Sequence, residues 1–232
     1  MHNGVDGCRG GWYAVQSVAD GARLIWAVHG KFSDLLSAAP VGATIAVDIP
    51  IGLLDVGTRA CDQAARQMLS PRRHASVFSA PLRPVLDAKS HGEASSIRLA
   101  REQKRMSVQA FAITSKVREV DNTLAGAAER ARMVYEVHPE VSFAAMNGGV
   151  PLRFAKKKQD GRRERLALLQ QFFGSEAERL QLDRPRSTAQ ADDVLDALAA
   201  LWSARRIQSG LGTSLPEVSQ IDSFGRRMAI FY

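Results

Sequence analysis

The chain has 232 residues with 31 Lys and Arg against 24 Asp and Glu, and its net charge of +7 points to a polyanionic partner such as nucleic acid (DNA or RNA), the alternative being solubility alone. Two cysteines, Cys8 and Cys61, are too few for a disulfide framework and lack zinc-site spacing, which favours a reducing compartment. There is no signal-peptide pattern and no apolar stretch of roughly 18 residues, so no membrane span and a cytoplasmic location are expected.

The N-terminal part is predicted to be mainly strands. Asp20-Gly21 is a hairpin dipeptide between the first β-rich runs after Val5. Asp48 ends a continuous apolar run, which is typical of a buried central strand whose last residues lie at the carboxyl edge of the sheet. The predicted elements are strands over Trp12–Val18, Arg23–Val28 and Ala43–Ile49 and a helix over Phe32–Ala39.

The remainder of the chain is predicted to be mostly helical. A helical insertion over about residues 58–132 is followed by one more strand and by a final long helix that begins near Ser187, where the sequence resembles a capping box. The predicted elements are helices over Arg59–Leu69, Ala94–Arg132, Pro139–Asn147 and Ser187–Arg206, an amphipathic stretch over Leu166–Phe173, and a strand over Met133–His138. With no internal repeat and no linker, residues 1–232 are expected to form a single domain.

Carboxylates recur at the edges of several predicted elements. Metal-assisted phosphoryl transfer requires hard oxygen ligands for Mg²⁺ or Mn²⁺, and a two-metal site about 4 Å across needs carboxylates from different elements. For Asp6 the alternative is a turn residue, and for Asp48 it is a cap on the following turn. The candidate catalytic residues are Asp6, Asp48, Glu136, His138, Asp193 and Asp196, of which Asp6, Asp48, Asp193 and Asp196 are the candidate metal ligands.

On the final helix the acidic residues lie off the apolar stripe. At about 100° per residue Asp193 aligns with a face of alanines that allows close approach of another backbone, and Asp196 is its neighbour. Asp193 is therefore the first choice of ligand on this helix. For Asp192, stabilisation of the helix dipole is the better interpretation.

Strand alternation places Glu136 and His138 on one face of the late strand. A carboxylate beside an imidazole suits a metal or acid–base role. The alternative is a surface glutamate beside a histidine that is hydrogen-bonded to the backbone.

A basic segment lies between the strand of Glu136 and the helix of Asp193. Residues 153–165 carry a net charge of +5, which would attract a phosphate backbone beside the proposed site, although such a run is usually a solvated face. Phe154 is its single aromatic residue, so there is no aromatic interleaving and base stacking is not indicated. The candidate nucleic-acid-binding residues are Arg153, Lys156, Lys157, Lys158, Arg162 and Arg163.

Several motifs resemble those of one fold superfamily. The segment Val5–Trp12 resembles the first strand of RNase H proteins, and Asp193–Ala199 resembles the last helix of RuvC-type Holliday-junction resolvases. A fuller set of motifs is similar to the uncharacterised domain-of-unknown-function family of predicted RNase H-like nucleases. That set comprises Gly4–Trp12, Asp48–Gly52, Arg59–Arg66, Glu136–Phe143 and Asp192–Ala197.

The resemblance implies an RNase H-like mixed β-sheet flanked by helices, with a helical insertion after the fourth strand. It implies metal ligation by Asp6, Asp48 and Asp193 or Asp196, with Glu136 a further candidate. The charged residues of the insertion would form either a phosphate clamp or internal salt bridges; they are Arg59, Asp62, Arg66, Arg72 and Arg73.

The expected function is therefore divalent-metal-dependent hydrolysis of phosphodiester bonds in nucleic acid. The alternative is a non-catalytic nucleic-acid-binding module that retains the fold, which predicts salt-dependent binding without turnover. An ATP-using enzyme of the actin and sugar-kinase superfamily ranks last, because that architecture repeats the domain and no second copy is found.

Overall fold

A computed structural model describes residues 1–18 and 23–232, and within these the chain forms two β-sheets and ten α-helices. The strands are β1 (His2–Cys8), β2 (Gly11–Ser17), β3 (Leu24–His29), β4 (Thr44–Val47), β5 (Val134–Glu136), β6 (Ser214–Ile221) and β7 (Arg227–Phe231). The helices are α1 (Phe32–Ala38), α2 (Ala60–Met68), α3 (His91–Glu102), α4 (Val108–Ala112), α5 (Thr114–Ala125), α6 (Ala128–Ala131), α7 (Pro139–Met146), α8 (Gln159–Phe173), α9 (Glu176–Asp183) and α10 (Ala191–Gln208). None of the helices in the described part of the chain has both the length and the apolar character needed to cross a membrane.

The main sheet has five strands in the order β3-β2-β1-β4-β5. β1, β2 and β3 are antiparallel neighbours, whereas β4 and β5 run parallel to β1. Helices α2 to α6 lie between β4 and β5 in the chain. The predicted α/β class, a mixed sheet flanked by helices with a helical segment after the fourth strand, is confirmed.

The first hairpin depends on a glycine at its turn. Gly11 has φ +120°, and a Cβ at this position would lie 2.2 Å from the carbonyl oxygen of His29. Only glycine combines this backbone conformation with so close an approach of the third strand. The predicted turn at Asp20-Gly21, between β2 and β3, lies outside the described residues.

One face of the sheet is covered by α1 and α5. Val5 and Val47 belong to the apolar cluster that these helices complete. Glu119 of α5 accepts hydrogen bonds from the backbone N–H of Phe32 (2.5 Å) and from the indole N–H of Trp12 (3.2 Å), which ties α5 to the start of α1. Part of the segment predicted as an insertion is thus a structural layer of the main sheet.

The opposite face is covered by α10, which packs against α7, α8 and α9. Ala46 of β4 and Val137 lie in an apolar cluster with Ala200 and Ala204. Small side chains at this contact allow the helix to lie close to the strands. The two faces of the sheet therefore have different surroundings, and the face covered by α10 holds most of the predicted site.

The structure differs from the predicted helix boundaries in two places. The prediction that the last helix begins near Ser187 is wrong, because the Pro185 carbonyl accepts the N–H groups of Thr188 and Ala189 in a turn and α10 begins only at Ala191. The predicted helix over residues 94–132 is four helices. The first of them ends where Gln103 adopts a left-handed conformation with φ +57°.

A C-terminal hairpin and helix α9 were not predicted. β6 and β7 form a separate antiparallel sheet with an irregular register between Leu215 and Gln220. The hairpin packs on α2. An isolated parallel bridge joins Val137 to Phe231, so β7 continues from the exposed edge of the main sheet. The hairpin partly covers an edge that would otherwise present unpaired backbone groups.

Candidate functional site

Asp6 lies on β1, on the face that contacts α10. Two residues earlier, a Cβ on Gly4 would lie 2.1 Å from the Ala197 carbonyl oxygen and 2.1 Å from the Leu201 nitrogen. The helix backbone therefore rests directly on the strand at this position. Because side chains alternate along a strand, Asp6 is on the same face as Gly4 and faces the first turns of α10.

Asp48 follows β4 and lies beside Asp6 at the carboxyl edge of the sheet. β1 and β4 are parallel with Val5 opposite Val47, and the Asp48 N–H donates to the Val5 carbonyl at 3.0 Å. The residue after each valine therefore lies on the α10 face. The predicted placement of Asp48 at a carboxyl strand edge agrees with this geometry.

Asp196 completes the group from α10. Its side chain is only 2% exposed, and its Oδ2 lies 2.5 Å from Nζ of Lys156. Lys156 comes from the loop before α8, and its side chain remains 40% exposed. One end of this ion pair is thus enclosed in the protein while the other reaches solvent. We call Asp6, Asp48 and Asp196 the aspartate cluster.

The electrostatics of the aspartate cluster reflect buried like charges with one counter-ion. Burial raises the pKa of Asp6 well above its usual value, and the neighbouring carboxylates of Asp196 and Asp48 raise it further. Burial also raises the pKa of Asp48 to about 6, with opposing contributions from His138 and Asp196. Burial disfavours the charge of Lys156, yet Asp196, Asp6 and Asp48 together raise its pKa above the usual value. The cluster favours binding of a cation or a proton.

Asp193 has a structural task that the helical wheel did not reveal. It is the third residue of α10, and its Oδ2 accepts the backbone N–H of Gln190 at 2.8 Å, which caps the helix start. Burial raises the pKa of Asp193, and Asp196 is among the neighbouring charges that add to this. Asp193 therefore lies next to the cluster, but Asp196 is the acid of this helix that reaches furthest into it.

Glu136 and His138 have different surroundings. Glu136 pairs with Val47 in register, on the face opposite α10, where its two oxygens accept from Arg59 at 2.7 and 2.8 Å and from the Ile51 N–H at 2.7 Å. His138 immediately precedes α7, and its positive form lowers the pKa of Asp48. Its Nδ1 is buried without a hydrogen-bond partner in the described part of the chain. His138 thus neighbours the aspartate cluster, whereas Glu136 is held by Arg59.

Arg59, Asp62 and Glu136 form a second charged group beneath the start of α2. Arg59 bonds both acids, at 2.5 Å to Asp62 and 2.7 Å to Glu136, and all three side chains are at most 5% exposed. Cys61, Asp62 and Glu136 place possible metal-binding atoms within 4.8 Å of one another. The guanidinium already supplies the cation that these acids require. At Arg59 and Asp62, the internal salt bridge is therefore the observed arrangement.

The other arginines of the predicted clamp make mostly backbone contacts. Arg66 donates to the Val77 carbonyl and to the Ser79 hydroxyl, each at 2.9 Å. Arg72 donates to the Pro151 carbonyl at 3.4 Å. Arg73 is partly buried, and its Nε has no hydrogen-bond partner among the described residues.

The predicted basic segment forms an exposed surface beside Lys156. Among the described residues, the ion pair of Arg163 is a long one, 3.9 Å from Asp160, and both side chains are more than half exposed. Arg153 stacks over the ring of Phe154 at 5.2 Å. The exposed members of the segment are Arg153, Lys157, Lys158, Arg162 and Arg163. Lys156 connects this basic surface to the aspartate cluster.

Sequence reasoning missed a buried ion pair behind the site. Arg165 (1% exposed) bonds Glu140 (8% exposed) and donates to the carbonyl oxygens of Phe154 and Gly161. The pair fixes the loop that carries Lys156 between α7 and α8. As an acid in the first turn of α7, Glu140 has the sequence context of a residue that stabilises the helix dipole, and no local pattern indicates a pairing with Arg165.

The comparisons with known proteins give a family but no characterised relative. No curated protein and no solved structure matched the chain. One family model, described as "Protein of unknown function (DUF429)", matches residues 4–221, and this range includes the whole aspartate cluster and Lys156. The chain therefore belongs to the DUF429 family of proteins of unknown function.

Proposed function

We propose that this protein is a divalent-metal-dependent hydrolase of phosphodiester bonds in nucleic acid, with Mg²⁺ or Mn²⁺ held by the aspartate cluster. The observation that carries the proposal is the convergence of three carboxylates from β1, the end of β4 and α10. Carboxylates that are far apart in the chain and mutually repulsive are costly to bury together, which favours a role in ion binding.

The donor set fits a hard divalent cation. Asp6, Asp48 and Asp196 offer only carboxylate oxygens, the ligand type that Mg²⁺ and Mn²⁺ prefer. The repulsion that raises the pKa of Asp6 would be relieved by a dication, because it adds two positive charges where Lys156 supplies one. When bound, such a metal activates water and stabilises the leaving oxygen.

The chain's own residues would hold and orient the substrate. The Lys156 ammonium, released from Asp196, would bind a phosphate oxygen next to the cluster, and the exposed basic surface would bind the flanking phosphates. His138 is placed to hold a proton at Nδ1, the atom that lacks a partner among the described residues. Asp193 would position Asp196 by fixing the first turn of α10.

The RNase H-like affiliation belongs to the same proposal. What supports it is a mixed sheet whose first strand carries Asp6 and whose fourth strand is followed by Asp48, together with a last long helix that carries Asp196. These are the positions at which the resemblance implies metal ligands. A cytoplasmic location is likewise a proposal, supported by two free, buried cysteines.

A non-catalytic nucleic-acid-binding module is the second candidate, and one observation favours it. Lys156 already neutralises Asp196 at 2.5 Å, so the cluster has an internal counter-ion without any metal. In that case the basic surface would bind nucleic acid with a steep salt dependence and without turnover. Replacing Asp6 by an amide would then leave binding unchanged.

The two candidates are separated by a cleavage assay on single strands, duplexes, RNA–DNA hybrids and a four-way junction with Mg²⁺ or Mn²⁺. The variant Asp6→Asn should lose at least about a hundredfold in rate, because one ligand of the cluster is removed. Asp87→Asn, a change at an exposed acid, is the matched control and should cut like wild type. Circular dichroism of both variants checks that each is folded.

Equal cutting by wild type and Asp6→Asn would assign the activity to a contaminant. If neither cuts any substrate while both bind with a steep salt dependence, the hydrolase proposal fails and the binding module replaces it.

A further inference from the structure

A cavity outside the aspartate cluster lies between the C-terminal hairpin, β5 and the helices α5 and α6. Its volume is about 470 Å³, within the range of small-ligand sites. Ile51 and Tyr135 line one side, Leu124 lies on the helical side, and Phe224 and Phe231 come from the hairpin. We call this cavity the C-terminal groove.

The groove combines exposed and half-buried aromatic rings. Tyr135 and Phe231 pack edge to face with ring centroids 5.1 Å apart. Phe224 lies in the turn between β6 and β7 and is 62% exposed, with the Arg83 guanidinium 4.1 Å from its ring centroid. The Arg226 guanidinium lies further off, 5.8 Å from the same centroid. A ring of this size that keeps 62% of its surface exposed is suited to stacking on a planar ligand.

The rim of the groove carries two exposed arginines. Arg132 is 80% exposed, and its ion pair among the described residues is a long one, 3.7 Å, with the similarly exposed Glu129. Arg227 is exposed and pairs with no carboxylate among the described residues, and its guanidinium lies 5.4 Å from the centroid of the Phe231 ring. The remaining charges that line the groove are neutralised, since Arg226 is ion-paired with Asp121 and Glu136 is bound by Arg59. The uncompensated charge of the groove is therefore positive.

The groove begins close to the aspartate cluster but on the other face of the sheet. Ile51 is three residues after Asp48, so their Cα atoms lie within about 11 Å of each other. From Ile51 the groove extends along β5 to Arg132, which precedes this strand, and to Arg227 at the start of β7.

We propose that the C-terminal groove binds a single-stranded nucleic-acid segment, with a base against Phe224 and the Tyr135–Phe231 pair and with backbone phosphates at Arg132 and Arg227. The choice of nucleic acid as occupant rests on the proposed function. The groove itself adds the strandedness, because bases are free to stack on aromatic side chains only when they are unpaired. It brings several aromatic rings together, whereas the basic segment holds a single one, Phe154.

The test is fluorescence anisotropy with a labelled ten-nucleotide oligothymidine, in EDTA so that no cleavage occurs. An abasic oligonucleotide with the same number of phosphates separates stacking from charge. Phe224→Ala should weaken binding of the oligothymidine at least about fivefold, and binding of the abasic strand by much less. Phe78→Ala, which removes another exposed phenylalanine, should bind like wild type.

The charge component is tested with Arg227→Gln. It should weaken binding of both oligonucleotides and lower the slope of log affinity against log salt by about one. Arg105→Gln, at an exposed arginine outside the groove, is its control. Circular dichroism confirms the fold of each variant.

Equal affinity of wild type for the two oligonucleotides, or equal affinity of Phe224→Ala and Phe78→Ala for oligothymidine, overturns the proposal. Competition by polyglutamate as strong as that by unlabelled oligothymidine would do so too, since it would point to an acidic peptide as the occupant. These results do not depend on cleavage. Asp6-dependent cutting without binding in the C-terminal groove would refute the groove proposal and leave the proposed hydrolase function standing. Binding in the groove without any cutting would refute the hydrolase function and leave the groove proposal standing.

Discussion

Replacement of Asp48 by asparagine is expected to stabilise the metal-free protein above neutral pH. The carboxylate is charged there while it lies in a buried environment next to Asp196 and Glu140, and burial raises its pKa from 3.8 to about 6. At roughly 1.4 kcal/mol per pKa unit, this rise corresponds to a penalty of about 3 kcal/mol for the charged form. Because Asp48 keeps some solvent access, we expect a gain of about 1–3 kcal/mol.

The sign of the pH dependence follows from the raised pKa. The folded state binds the Asp48 proton more tightly than the unfolded state, so this contribution to stability is fully present below about pH 4 and is lost as the pH rises through about 6. Asp48→Asn has no carboxyl group at this position, so its stability does not fall with pH through this residue. The variant should therefore match wild type near pH 4 and exceed it near pH 8, while Asp6 keeps part of the pH dependence in both proteins.

The measurement is urea denaturation in EDTA at the two pH values, with Asp87→Asn as an exposed control whose stability should follow wild type. Adding Mn²⁺ at about pH 8 should stabilise wild type more than Asp48→Asn, because the variant lacks one ligand. A variant that is less stable than wild type at both pH values would refute the reasoning. It would mean that the charged carboxylate of Asp48 stabilises the fold, whereas the reasoning above treats it as a destabilising group that is retained for metal binding.

Three further substitutions test how the site is built. Gly4→Ala brings a Cβ to 2.1 Å from the backbone of α10 and should cost more than about 2 kcal/mol in thermal unfolding. Gly30→Ala, where no atom of the described residues lies within 4 Å of the added Cβ, should be nearly neutral. Arg165→Met leaves Glu140 buried and unpaired and should cost about 3–5 kcal/mol in urea denaturation, with part of it recovered by adding Glu140→Gln. Lys156→Met should lower stability in EDTA by about 1 kcal/mol, and Mn²⁺ should then raise the melting temperature more than in wild type.

The positions of Asp48 and Asp6 could be anticipated because they follow from short-range patterns. An apolar run that ends in Asp48 is recognisable as a buried strand, and the end of such a strand is where polar groups become accessible. Asp6 follows Val5 in the same way. The resemblance added the expectation that both act in one site, and their adjacency across the parallel β1–β4 pair agrees with it.

The acids of α10 could not be ranked from periodicity alone. A helical wheel gives the direction of each side chain but not the first residue of the helix, and α10 begins four residues later than predicted. With Gln190 as the capping position, Asp193 becomes the third residue and bonds the backbone. Glutamine is not among the preferred N-cap residues, so this start gave little indication in the sequence.

Local sequence patterns could not identify Arg59 as the partner of Glu136. Strand alternation fixes the face on which a side chain lies, but Arg59 is 77 residues away in the chain.

The hairpin of β6 and β7 was missed because Pro216 and the exposed Glu217 interrupt the expected alternation. It is held by packing against α2, which is a tertiary effect.

The cap made by Asp193 turns one backbone amide into an internal reporter of the site. The N–H of Gln190 has its acceptor in the carboxylate of Asp193, which lies next to the aspartate cluster. If a bound ion recruits that carboxylate, the amide loses its acceptor and its hydrogen exchange accelerates; if Asp6, Asp48 and Asp196 suffice, it stays protected. A single exchange rate thus distinguishes a site of three aspartates from a site of four.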